Sequence, residues 1–308
     1  EIINNSAVSG GAIDSDMGAH ISDCIFINNT AEKGGAISFW IDAISDISNC
    51  KFINNRATQG GAIYAAFWAN LTNVENAIFI NNTAEKGGAI YAEGNIVATN
   101  SNFTANNATC GGAIYFSGDD LVIADSKFIS NEAEDCGAVA VNSATTEIRN
   151  TEFVENGAYD CGAIEISSGD VLIDNCRFDS NYANRSIAAL ALHSNATVSN
   201  TVFKSNRAED CGALFYESFK RNDTLIVDGC QFIDNDCSGV HLSHYNARIL
   251  NSKFEDSVSE RGIAIYNGVS SKLYLSNNDV NYFKPQIFSA YGGDITSSVT
   301  VNILNNRT

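Results

Sequence analysis

The hydrophobic positions of this chain return on a period far longer than that of any helix or strand. The segment Phe26-Ile27-Asn28-Asn29-Thr30-Ala31-Glu32-Lys33-Gly34-Gly35-Ala36-Ile37 reappears almost unchanged from Phe79 to Ile90. An aromatic anchor stands at Phe26, Phe52, Phe79, Phe103, Phe128, Phe153, Phe178, Phe203, Phe232 and Phe254, in steps of 22 to 29 residues. Ile2 takes the same place at the front and Val280 near the end. Self-similarity at such a period marks a solenoid and overrides local assignments. Between anchors lie short runs such as Leu121-Val122-Ile123 and Ala213-Leu214-Phe215, which read as strands and carry no 3.6-residue period.

Polar residues keep the same register. Three residues after the anchor comes Asn29, Asn55, Asn82, Asn106, Asn131, Asn156, Asn181, Asn206 and Asn235. Three before it comes Asp23, Asn49, Asn76, Asn100, Asp125, Asn150, Asn175 and Asn200. About eight after it comes a glycine step, as in Gly60-Gly61-Ala62-Ile63. Asn, Asp and Gly accept left-handed backbone angles and make tight corners. Three corners and three short strands per repeat predict an all-β, single-stranded parallel β-helix of about 12 coils, about 25 residues each, stacked about 4.8 Å apart into a rod of about 58 Å. An inward asparagine on every coil satisfies its amide against the coils above and below. Phenylalanine and alanine fill the narrow core. The Leu-x-x-Leu-x-Leu blocks of a leucine-rich horseshoe are missing.

The repeat fills 1–308 as a single β-helix domain, with 284–308, around Lys284-Pro285-Gln286, a degenerate last coil or a lead into a next domain. Opening in mid-repeat at Glu1, the chain reads as an excerpt of a longer surface protein.

Phe-x-x-Asn paired with Gly-Gly-Ala-(Ile/Leu/Val) resembles the repeats of chlamydial polymorphic outer-membrane proteins, which recur in the adhesin-like surface proteins of methanogenic archaea. The Asn- and Thr-rich, proline-poor composition is closer to the archaeal group. The resemblance implies a right-handed β-helix displayed outside the cell, at the cell surface or cell wall, and used for attachment. Later coils depart from it: the first glycine becomes cysteine at Cys136, Cys161 and Cys211, and one coil reads Ser186-Ile187-Ala188.

Composition narrows the partners. Acidic residues outnumber basic ones 36 to 18, a net charge of −18. That charge excludes a nucleic-acid backbone or an anionic lipid surface as the main partner. No apolar run approaches the ~20 residues that span a bilayer, so this stretch does not insert in a membrane. Host or partner-cell proteins and glycans remain.

The nine cysteines sit in repeat columns, Cys24, Cys50, Cys176 and Cys230 two residues before the anchor and Cys136 and Cys161 at the glycine step. They read as small packing residues. Alternatively, Cys24 with Cys50 and Cys136 with Cys161, one coil apart, form disulfides, since paired strands hold Cα atoms about 4.8 Å apart.

Candidate chemistry is sparse. Glu134-Asp135, Asp160 and Glu209-Asp210 gather before the glycine step, with Arg185 among them. Asp135 and Asp160 are candidate calcium ligands. With Arg185 they are also the residues on which a polysaccharide-active enzyme would rest, while a solvated acidic edge explains them equally. No cofactor or catalytic motif is present, and a non-enzymatic module is expected. Alternation along the strand turns Tyr64, Tyr91 and Tyr115 outward. Trp40, Phe67 and Trp68 lie just beyond, where coils lengthen to 26 and 27 residues. These six are the candidate ligand-binding residues, suited to sugar rings or a protein surface, while a hydrophobic strip covered by neighbouring loops or flanking domains explains them as well. A purely structural surface-layer rod is a further reading. Sequons at Asn28 and Asn81 suit glycosylation.

Overall fold

Left-handed corners set the shape of the coil. Asp23, Asn49, Asn76, Asn100, Asp125, Asn150, Asn175 and Asn200 all have φ between +49° and +55°. A second left-handed column, two residues after each anchor, runs Asn4, Asn28, Asn54, Asn81, Ala105, Ser130, Glu155, Ser180 and Ser205. Its later members lack the short amide that eases this conformation. Gly34, Gly60, Gly87 and Gly111 make the third corner at φ +60° to +65°, where a Cβ would lie 1.9–2.3 Å from the carbonyl oxygen three residues on. The glycine after each is needed for close approach instead: a Cβ on Gly61 would sit 2.1 Å from the Gly88 oxygen of the next coil.

Corners of this kind wind the chain into three parallel sheets of twelve strands each. The computed structural model describes residues 1–41, 44–142, 145–209, 211–218, 220, 222–244, 246–256, 265–267, 272–282, 287–289 and 295–298. Among them there is no helix, and none long and apolar enough to cross a membrane. The first sheet carries the anchors and runs from Ile2–Ile3 to Asp279–Tyr282. The second follows the glycine corner, from Ile13–Ser15 to Ile287–Ser289, and the third runs from His20–Ser22 to Ile295–Ser298. A small four-stranded sheet, Asn107–Ala108 to Tyr182–Ala183, fills one corner of the middle coils. Pro285, Tyr291-Gly292-Gly293-Asp294 and residues 299–308 lie outside the described residues.

Every anchor aligns with the next. Ile2 pairs with Phe26, and Phe254 with Val280. Phe26 to Phe254 form one column of parallel rings with centroids 4.6–5.0 Å apart, all fully buried.

Beside it stands the asparagine ladder. Asn131 is typical: its Nδ2 donates to the Phe103 carbonyl and to Asn156 Oδ1, both at 2.9 Å. Its Oδ1 accepts from the backbone N–H and the Nδ2 of Asn106, both at 3.0 Å. The same set repeats through Asn206, so buried amides carry no unmet polar group there.

A hydroxyl ladder one residue after the Asp23-type corner is a third column. Ser101 Oγ accepts the Ala77 N–H at 3.1 Å and Ser252 Oγ accepts the Cys230 N–H at 3.1 Å. Cys50, Cys176 and Cys230 are members of this column, each thiol donating to carbonyls of its own and the preceding coil. They replace serine or threonine here, a role their sequence position does not reveal.

Candidate functional site

The six aromatic candidates separate into two groups. Tyr64, Tyr91 and Tyr115 do stack on successive coils, with centroids 5.4 and 5.2 Å apart. They are only 3–7 % exposed, which corrects the expectation of an open aromatic face. Side chains at the glycine corner lean over the strip. The Lys33 ammonium lies 4.7 Å from the Tyr64 ring centre and Lys86 4.9 Å from that of Tyr115, and Trp40 closes one end at 5.3 Å from Tyr64. Trp40 is half-buried and its Nε1 donates to Asp14 Oδ1 at 2.7 Å. Tyr91 donates to Glu93 at 2.8 Å, and burial, followed by that carboxylate, pushes its phenol well above the usual range. The strip is a satellite core outside the second sheet. Alternation identified the face of the sheet but not what covers it.

Phe67 and Trp68 are open, at 55 % and 62 % exposure, and pack edge to face with centroids 4.7 Å apart. They occupy the loop from the second to the third sheet. Register places Ser15, Phe39 and Ala65 side by side, and Met17, Ile41 and Phe67 each stand two residues past that row, in the loop that follows. Met17 and Ile41 are 77 % and 56 % exposed, and Ile44 beside them is also open. On the next two coils the residue two past the row is Gly94 and Gly118, and later Ser168 and Ser194. Among the described residues, the first three coils therefore carry large exposed apolar side chains in this loop where those later coils have glycine or serine. Sequence reading found Phe67 and Trp68 through the lengthened coils but missed Met17, Ile41 and Ile44. Only coil-to-coil register groups them.

Where the first glycine is lost, cysteine rebuilds the corner. Cys136 and Cys161 are bridge partners on adjacent coils, without the positive φ of the glycines they replace. Each thiol donates at 3.0 Å to the carbonyl three residues on, Val139 and Ile164, the atom a Cβ would strike in the glycine coils. All nine cysteines are free thiols in the structure, including Cys24 and Cys50. Burial raises the thiols of Cys50 and Cys136 and pushes Cys110, Cys176 and Cys230 up to about 12. Such thiols are poor nucleophiles.

Asp135 and Asp160 fall on adjacent coils. Burial first, then the Asp160, Glu165 and Glu134 charges, raise the Asp135 carboxyl above its ordinary value. Arg185 lies 3.8 Å from Asp160, and Asp210 is outside the described residues. Among the described residues no group of three or more His, Cys, Asp or Glu is placed to hold a metal. Arg185 thus partly offsets the acidic edge at Asp160.

The family described as right handed beta helix region matches residues 45–203, 89–254 and 162–308, overlapping windows that together span 45–308. The Chlamydia polymorphic membrane protein repeat matches residues 23–39, in the second coil. Neither a curated protein nor a solved structure matches the chain.

Proposed function

This chain belongs to the right-handed β-helix family, and we propose that it is a non-enzymatic, surface-displayed attachment module that holds a host, partner-cell or glycan ligand on one lateral face. The observation that carries this reading is the apolar corner of Met17, Ile41, Ile44, Phe67 and Trp68 on a coil locked by continuous ladders. Exposed apolar patches mark interaction sites, and a tryptophan packed edge-on against a second ring is a strong anchor for a sugar face or a protein side chain. The polymorphic membrane protein repeat at 23–39 adjoins that corner and favours an extracellular setting. Affinity with archaeal adhesin-like proteins, from the Asn- and Thr-rich composition, belongs to the same proposal. So does glycosylation at the exposed Asn28 and Asn81.

A glycan-array and cell-binding screen with the parent chain and the Phe67→Ser/Trp68→Ser variant tests the reading. Attachment should fall about tenfold or more in the variant. Stability should change by no more than about 0.5 kcal/mol per site, because both rings are exposed. Equal attachment by the two proteins, or release of new sugar ends from any bound polysaccharide, contradicts it.

A further inference from the structure

On the outer face of the third sheet, far along the rod from the apolar corner, a groove of about 460 Å³ is lined by Thr224, Asn246, Arg248, Lys272 and Tyr274 with the backbone between them. Thr224 pairs with Asn246, and Arg248 with Tyr274. Ala247 pairs with Leu273, which brings Lys272 opposite Asn246. Ala247 and Leu273 point inward and are buried, so the alternate residues all face the groove. Thr224 also closes the longest insertion of the chain, the coil of 29 residues between Phe203 and Phe232.

Charge singles this groove out. The column of Thr224 and Lys272 is acidic at Asp120 and Asp170 and uncharged at Thr145, Asn195 and Asn246, and the column of Arg248 holds Glu147 and then Leu172, Thr197 and Ile226. Both turn cationic only here. Lys127, Arg149, Arg177, Arg185, Arg207 and Lys253 each have an acidic partner, as expected in a chain of net charge −18. Among the described residues Arg248 and Lys272 have none, a property they share with Lys51, Arg56 and Lys204, but these two stand on adjacent coils and line one groove. The guanidinium of Arg248 lies instead over the Tyr274 ring, 5.4 Å from its centre. An arginine whose charge is met by an aromatic face, not by a carboxylate, keeps its N–H donors available for an anion.

We propose that this groove binds a carboxylate-bearing sugar unit, the carboxylate on Arg248 and Lys272 and the ring hydroxyls on Asn246 and Thr224. Arg248 supplies a two-point fork for the carboxylate and Lys272 a second charge. The volume suits a small ligand. An acidic peptide is disfavoured, because the groove floor is a sheet face whose backbone bonds are spent between coils, with no strand edge for a peptide to pair with. The inference goes beyond the attachment reading: it assigns a second, separate site and uses none of the apolar-corner residues.

The test is binding of small probes to the full chain by NMR titration. Galacturonate oligomers represent the hexuronates and sialyl-lactose the sialates, with lactose as the neutral control and an oligoglutamate peptide as the rival anion. At least one acidic sugar should bind at least tenfold tighter than lactose, weaken with added salt, and lose at least tenfold in Arg248→Gln and Lys272→Gln. Phe67→Ser/Trp68→Ser should leave this binding unchanged. Both cationic sites are exposed, and an unaltered circular dichroism spectrum verifies that the variants fold. Equal binding of lactose, no binding of either acidic sugar, tighter binding of oligoglutamate, or indifference to Arg248→Gln overturns the assignment. If attachment still depends on Phe67 and Trp68 in that event, the attachment reading survives alone.

Discussion

Single residues show where the repeat is under strain. Ala105 and Glu155 hold φ of +53° and +55° without the side chain that favours it, in a column where other coils use asparagine. A left-handed residue other than glycine or asparagine costs about 1–2 kcal/mol. Ala105→Asn and Glu155→Asn should therefore each raise stability by about 1 kcal/mol, read as a higher thermal midpoint; an unchanged or lower midpoint contradicts the corner argument. His241 is a second such position. Burial beside Phe215 pushes its imidazole down to about 4, with the Glu217 charge opposing only in part. The unfolded chain takes up that proton near pH 6.5 and the folded chain only near 4, so protonation favours unfolding between them. Stability should fall as pH drops from about 6.5 to 4, by up to about 3 kcal/mol. His241→Asn should flatten the slope in that window; the same slope in both proteins removes His241 as its cause.

At the scale of strands and corners, ladders carry the stability, and two columns of them were legible before any coordinates. The phenylalanines and asparagines recur at fixed offsets, and both line up as the spacing requires. The hydroxyl ladder was not legible. Ala77, Ser101, Ser126, Thr151 and Cys176 share a position but look like a variable small-residue column until the bond from coil to coil is seen. The tyrosine strip failed for a different reason. Strand alternation separates inside from outside but says nothing of Lys33 and Lys86 reaching across from a neighbouring corner. Asn131→Ala should cost about 2–4 kcal/mol, since it strands the Asn106 amide and the Phe103 carbonyl in the core. A loss below ~0.5 kcal/mol, which is typical of surface changes, would show that the ladder is not holding the coils. Cys176→Ser should be tolerated in the same unfolding assay. Cysteine labelling reads the thiols directly: Cys24, Cys110 and Cys211 are half-buried and the other six buried. Native labelling should stop at those three, and denatured, unreduced protein should label all nine. Fewer than nine would establish a disulfide, with Cys136–Cys161 and Cys24–Cys50 the first pairs to examine.

For the molecule as a whole, the stacked coils fix the relative positions of surface side chains. Twelve stacked coils share one core that runs from Ile21 to Val280, so side chains far apart in sequence stay at fixed distances along one flank. A solenoid of this kind derives its surface from column identity, and function enters where a column breaks its pattern. It breaks twice. Where later coils place glycine or serine, the first three carry Met17, Ile41 and Phe67, and uncharged positions give way to Arg248 and Lys272 near coil ten. The first break was partly visible as extra coil length around Trp40 and Trp68; the second lies where the repeat is most degenerate and needed register to be seen. Hydrogen–deuterium exchange of the chain bound to a surface chosen by the cell-binding screen tests the attachment claim most directly. Added protection should be confined to residues 15–18, 40–41 and 66–70, with the ladders already protected in the free chain. Protection that spares those residues and falls on another face would contradict the account.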